Sequence, residues 1–173
     1  MVTLYDITVP VFAKGLNNLL AIIDRAEQFA KERGFDVDRF VDMRLYPDMY
    51  SFGWQVEYAC FVAVEIVGKL AGKKELELMY DTRSIAELRQ NIHKSLGYLR
   101  DISREDLSGA EDRLVPLFHD PERVARGRDY VTEFALPNFH FHYVTAYDIL
   151  RHNGVALRKE DYVGGLTTKA KEK

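Results

Sequence analysis

Apolar side chains recur every three or four residues in four stretches of this chain, the spacing that gives a helix one buried face. Phe12, Leu16, Leu19, Ile23, Ala26 and Ala30 form the first stripe, and Gly34 offers a left-handed stop beyond it. The start of that helix has two readings. Thr3 with Asp6 resembles a capping box but leaves Pro10 to kink the interior, whereas Thr8 as N-cap puts Pro10 in the first turn. A short helix over Asp36–Val41 connects to a turn at Leu45-Tyr46-Pro47-Asp48.

The second helix is expected from about Ser51 to Ala71, closed by Gly72, with a stripe of Phe52, Val56, Ala59, Ala63, Ile66 and Leu70. Val62, Val64 and Val67 widen it, so it is buried on more than one side. A pair of buried strands is the alternative for so many β-branched residues, but the run is long and contains no turn. Ser84-Ile85-Ala86-Glu87 is a capping-box signature for the third helix, followed by Leu88, Ile92, Leu96 and Leu99. Residues 103–129 have no helical period. Arg113–His119 reads as extended, with Pro116 restricting it to an edge, and Asp120-Pro121 as a turn.

The fourth segment decides the chemistry. From Asn138 to Tyr143 polar and apolar residues alternate, and a strand here puts His140 and His142 on one face, as a metal pair requires. A helix turns those two rings about 200° apart and brings Asn138 and His142 together one turn apart. Phe139, Tyr143, Ala146 and Leu150 complete a helical stripe, so a helix from about Pro137 to Asn153, closed by Gly154, is favoured, with a further turn or two possible over Tyr130–Ala135.

At 173 residues the chain is long enough for one domain to bury its own core, expected over 1–165, with a disordered polar tail at 166–173. Net charge is −3 with no basic stripe, which argues against a nucleic-acid partner. The single cysteine, Cys60, excludes an internal disulfide and a thiolate zinc cluster, and its apolar neighbours predict an inert buried thiol. The most apolar run is broken by Glu57 and Glu65 and is too short for a membrane span. With no basic-then-apolar leader, the expectation is a cytoplasmic protein without a membrane partner.

On the fourth helix, His142 and Asn138 fall on one flank of the buried face, in a row with Thr145, Ile149 and Asn153. Facing helices build sites from such rows. Gln55, Glu57 and Glu65 on the second helix are the polar residues available opposite. A polar core histidine, hydrogen-bonded to Gln55 or Asn138, is favoured over a ligand role. His140, Tyr147 and Arg151 lie on the other flank, Asp148 and His152 are spaced to pair outside, and His93 and His119 read as solvated and loop residues. Phosphate loops, nucleophile elbows and His-Glu-x-x-His motifs are absent from the sequence.

Leu136-Pro137-Asn138-Phe139, Phe141-His142, Thr145-Ala146-Tyr147 and Ile149–Val155 resemble an uncharacterised family within the DinB/YfiT-like superfamily. So do Leu4–Val11, Arg44-Leu45, Pro47-Asp48-Met49 and Gly109–Arg113. The resemblance implies an all-α fold, a four-helix bundle with a long irregular connection between helices 3 and 4, often dimeric. Superfamily members often hold a divalent metal (zinc or nickel) with three histidines, and those of known activity include thiol-dependent transferases and isomerases of small molecules. Of those ligand positions only His142 keeps a histidine here; Asn138 and Gln55 stand at the other two. An amide oxygen replaces imidazole poorly for such ions. A weak site completed by water, Asp48 or Glu57 is the remaining metal reading.

Two functions follow from that resemblance and the residues together. One is a small-molecule-binding protein or degenerate enzyme, with His142 as the candidate catalytic or metal residue and Asn138, His142 and Gln55 holding the ligand. The other is a non-catalytic bundle that dimerises, with His142 a core residue.

Overall fold

The structure, a computed structural model, describes residues 2–166 and 168; most of the expected tail lies outside the described residues. The described residues are all-α apart from one small hairpin. Both readings of the N-terminus hold. A single turn, α1 (Leu4–Ile7), is capped by a Thr3–Asp6 capping box, and α2 (Val9–Arg33) resumes with Pro10 in its first turn. Between them Thr8 leaves helical geometry and its hydroxyl donates to Leu4 O at 2.6 Å, satisfying a carbonyl at the break. Gly34, at φ 72°, ends α2 in the left-handed region where an L side chain is strained.

A 3-10 turn over Val37–Phe40, capped by Asp36, leads to α3 (Phe52–Ala71), with Ser51 at its N-cap and Gly72 at φ 64° beyond its end. The strand alternative for this run is excluded. An extended connector follows, held by Asn91, whose amide accepts from Met79 N at 2.9 Å and donates to Met79 O at 2.8 Å. Helix α4 (Ile85–Arg100) begins with the expected Ser84–Glu87 box. Strands β1 (Leu114–Pro116) and β2 (Val124–Arg126) pair antiparallel, Val115 opposite Ala125, so Pro116 does sit on an edge.

The last long helix includes the preceding turn that the sequence allowed over Tyr130–Ala135, but in π form and without a break before Pro137. A short turn α5 (Gly127–Asp129) runs into a π-helical turn (Tyr130–Ala135) and directly on into α6 (Leu136–His152). Pro137 therefore lies inside a continuous helical run. It has no N–H to give the preceding turn and its ring crowds a carbonyl there, and the widened π-turn comes immediately before it. A short helix α7 (Lys159–Val163), not anticipated from the sequence, brings Tyr162 against α6.

Helix α3 is the hub, packing on α6 and α4, while α2 packs on α4, α6 and α7. Phe12, Leu16, Ile23, Phe52, Val56, Ile66, Leu88, Phe139 and Ile149 lie in one buried cluster. Gly15 lets α2 approach α6: a Cβ there would come 2.6 Å from the Phe139 ring. By length and composition alone Leu4–Arg33 is apolar enough to cross a membrane, contrary to the expectation that no run reaches that length. Its apolar stripe is packed against the other helices, as in the core helix of a globular bundle.

Candidate functional site

The helical reading of the fourth segment places the histidines as it must. His142 is buried, while His140 points the other way and contacts the Tyr162 hydroxyl through Nδ1 at 3.1 Å. The two rings share no ion. Across from His142, Ser51 starts α3 so that Gln55 lies one turn in. Gln55 Oε1 lies 2.7 Å from His142 Nδ1, and Asn138 Oδ1 lies 3.1 Å from His142 Nε2. Gln55 Nε2 donates to Tyr50 O at 3.3 Å, which fixes the way round its amide sits. The three residues singled out from the sequence thus form one hydrogen-bonded row across the α3–α6 seam.

Burial lowers the His142 pKa to about 4, so the ring is neutral near pH 7. Its proton belongs on Nδ1, facing the Gln55 oxygen, which leaves Nε2 as an acceptor. Two amide oxygens facing both nitrogens would suit an imidazolium, and burial opposes that charge. A half-turn of the Asn138 amide, which has the same shape either way round, presents its NH2 to Nε2 and satisfies the neutral ring.

Around this row stands an aromatic set that the hydrophobic stripe did not capture. Tyr50 and Trp54 stack at 3.9 Å and Trp54 and Tyr58 at 4.6 Å, one helical turn apart each. Edges of the His142 ring meet Trp54 at 5.2 Å, Tyr58 at 4.6 Å and Phe141 at 5.2 Å. Phe141 is 53% exposed and Tyr50 58%, and Asn138 is half-buried, so the row opens to solvent between aromatic walls. The i, i+4, i+8 spacing of Tyr50, Trp54 and Tyr58 is the sequence signal that could have found it.

Other expected partners lie elsewhere. Glu57 is buried but turns toward the connector, where it accepts from Thr82 N at 2.8 Å and Thr82 Oγ1 at 2.6 Å. Asp81, in the left-handed region at φ 54°, turns the chain so that both Thr82 donors converge. Thr145 and Asn153 bond back to Phe141 O and Ile149 O of their own helix, so they leave the row. Asp48 is exposed, and Asp148 makes no ion pair with Arg151 or His152 among the described residues. Glu65 pairs with Lys69 instead, and burial raises its pKa. His93 and His119 are exposed, and burial pushes the Cys60 thiol up to about 12, an unreactive state.

The donors do not fit the three-histidine metal site that the resemblance implies. One imidazole and two neutral amides occupy the positions, the Nδ1 side is taken by Gln55, and no cluster of three His, Cys, Asp or Glu side chains occurs among the described residues.

Residues 4–163 match the family described as "Domain of unknown function (DUF1993)". The chain is also similar to the crystal structure of a DinB family member protein from Shewanella denitrificans. The two are 38% identical over 97% of this chain and 96% of that one, with a TM-score of 0.92. No curated protein matches it.

Proposed function

We propose, from the premise that this chain belongs to the DUF1993 family of DinB-like helical bundles, that it binds a small planar molecule without a metal ion. The observation that carries this reading is the half-buried Asn138 amide, anchored on a neutral His142 whose ring is packed edge-on by Trp54, Tyr58 and the exposed Phe141. A planar heterocycle stacks on the exposed rings of Tyr50 and Phe141 and pairs with the amide, the combination of apolar contact and few polar groups that small-molecule sites use. His142 and Gln55 position Asn138. A ring with both nitrogens engaged and so low a pKa is a poor general base at neutral pH.

Trp54 is the only tryptophan, so intrinsic fluorescence reports on this face directly. Titration with adenine, nicotinamide and a pterin is expected to give saturable quenching by at least one of them, lost in Asn138→Ala with thermal stability retained. Linear quenching by all three, or equal quenching of the variant, overturns the reading.

A second reading rests on the same surface. Tyr50 and Phe141, beside the row, leave aromatic area exposed, the kind of patch that covers itself by self-association. The chain would then act as a homodimer, and sedimentation equilibrium of the wild type against Phe141→Ser separates the two.

A further inference from the structure

We propose that the cavity between the start of α3 and the Asp81–Arg83 turn is a second binding site, where a small primary alkylammonium ion pairs with Glu57. The cavity measures about 310 Å³, room for a molecule of a few carbons, and Val41, Tyr50, Ser51, Trp54 and Thr82 line it beside Glu57. Glu57 follows Gln55 by two residues and is turned about 200° from it around the helix, toward this space and away from His142.

The carboxylate is buried but only half used. Glu57 is 4% exposed, and its Oε1 takes both Thr82 donors, the N–H at 2.8 Å and the hydroxyl at 2.6 Å. Its Oε2 takes no hydrogen bond among the described residues, yet it is not sealed off from the cavity that Glu57 lines. Glu57 makes no ion pair among the described residues either. A buried carboxylate oxygen without a donor is costly, and an ammonium N–H supplies both the donor and the opposite charge.

Elsewhere in the lining the charges cancel. Asp42 and Asp81 are matched by Arg44 and Arg83, with Arg83 3.9 Å from Asp42 and Arg44 donating to Met49 O. Glu57 is therefore the uncompensated charge. The positive end of α3 at Ser51 opposes a cation, but that field fades within one turn and Glu57 is the sixth residue of the helix. No cluster of three metal-ligating side chains occurs among the described residues, so a single free oxygen suits an organic cation better than a metal ion. The Ser51 and Thr82 hydroxyl oxygens are further acceptors for the ammonium, and Val41, Tyr50 and Trp54 give its alkyl part apolar surface.

Propylamine, with propan-1-ol as its uncharged counterpart, is the probe, read by calorimetry on the full chain. Saturable propylamine binding is expected, with propan-1-ol weaker by about tenfold. Glu57→Gln keeps an acceptor for Thr82 but turns an NH2 to the cavity, and it is expected to weaken propylamine by about tenfold. Asp81→Asn removes an exposed charge and tolerates the left-handed backbone, so affinity should stay within about threefold. Asn138→Ala, which empties the other site, is expected to leave propylamine binding unchanged. Carboxyl carbon-13 resonances of the wild type need no variant: the Glu57 signal should move on saturation. No saturable binding of the amine, equal binding of the alcohol, an unmoved Glu57 resonance, or a larger loss in Asp81→Asn than in Glu57→Gln overturns the assignment.

Discussion

Gln55 Oε1 sits 2.7 Å from His142 Nδ1 across the seam between α3 and α6, and the same amide is pinned from behind by Tyr50 O. Because the amide cannot turn round without losing its bond to Tyr50, it dictates the histidine tautomer. The ring is expected to be neutral with its proton on Nδ1. Nitrogen-15 shifts of the His142 ring test this directly: a protonated Nδ1 beside a bare Nε2 agrees, and a doubly protonated imidazolium at pH 7 contradicts it.

Protonation of that ring has a sign and a window. His142 titrates near 6.5 when unfolded and near 4 when folded, so the unfolded chain binds more protons between those values. Stability is therefore unaffected by this group above about pH 6.5 and is lost as pH falls toward 4. The full cost is about 3 kcal/mol. Burial lowers the His140 pKa as well, and that group adds to the slope in the same direction. Urea unfolding across pH 7 to 4 should show a shallower acid decline in His142→Gln than in the wild type; identical slopes would refute the assignment.

Removing the partner tests whether the row is structural as well as a ligand seat. Gln55→Ala leaves a buried imidazole N–H without an acceptor and is expected to cost roughly 1–3 kcal/mol. Gln55→Glu keeps the acceptor and adds a charge beside the ring, which favours the imidazolium and should raise the His142 pKa. A destabilised alanine variant together with an elevated glutamate-variant pKa supports the geometry; an unmoved pKa does not.

Most of the architecture was readable because the ends of its elements are written in local chemistry. Thr3–Asp6, Ser51, Ser84–Glu87, Gly34 and Gly72 are all where their cap or stop signals placed them. The row of Gln55, Asn138 and His142 was readable too, since helix period alone puts Asn138 beside His142. What escaped were features set by distant packing. Pro137 looked like a first-turn residue, yet the π-turn before it lets the helix run through. Glu57 looked available to His142, but the direction it takes depends on the path of the connector and its Thr82 donors, some 25 residues later. The burial of Tyr130 carries no sequence signal at all, because only tertiary placement decides which tyrosines are covered.

Two helical glycines, Gly15 buried and Gly97 partly exposed, should respond oppositely to the same substitution. Gly97 lies inside α4, and an added Cβ would meet only an Arg100 nitrogen, at 3.8 Å. Gly97→Ala removes backbone freedom from the unfolded chain and improves helix propensity, so a gain of about 0.5–1 kcal/mol is expected. Gly15 lies where α2 crosses α6, and its Cβ would drive into the Phe139 ring at 2.6 Å. That ring packs edge-on to Phe12 at 4.9 Å and lies one turn from Tyr143, so it has nowhere to retreat. Gly15→Ala is expected to cost roughly 1–3 kcal/mol through forced repacking, outweighing the same propensity gain. Thermal unfolding of the two variants decides it: a Gly15→Ala protein as stable as Gly97→Ala would mean that α2 and α6 do not approach this closely.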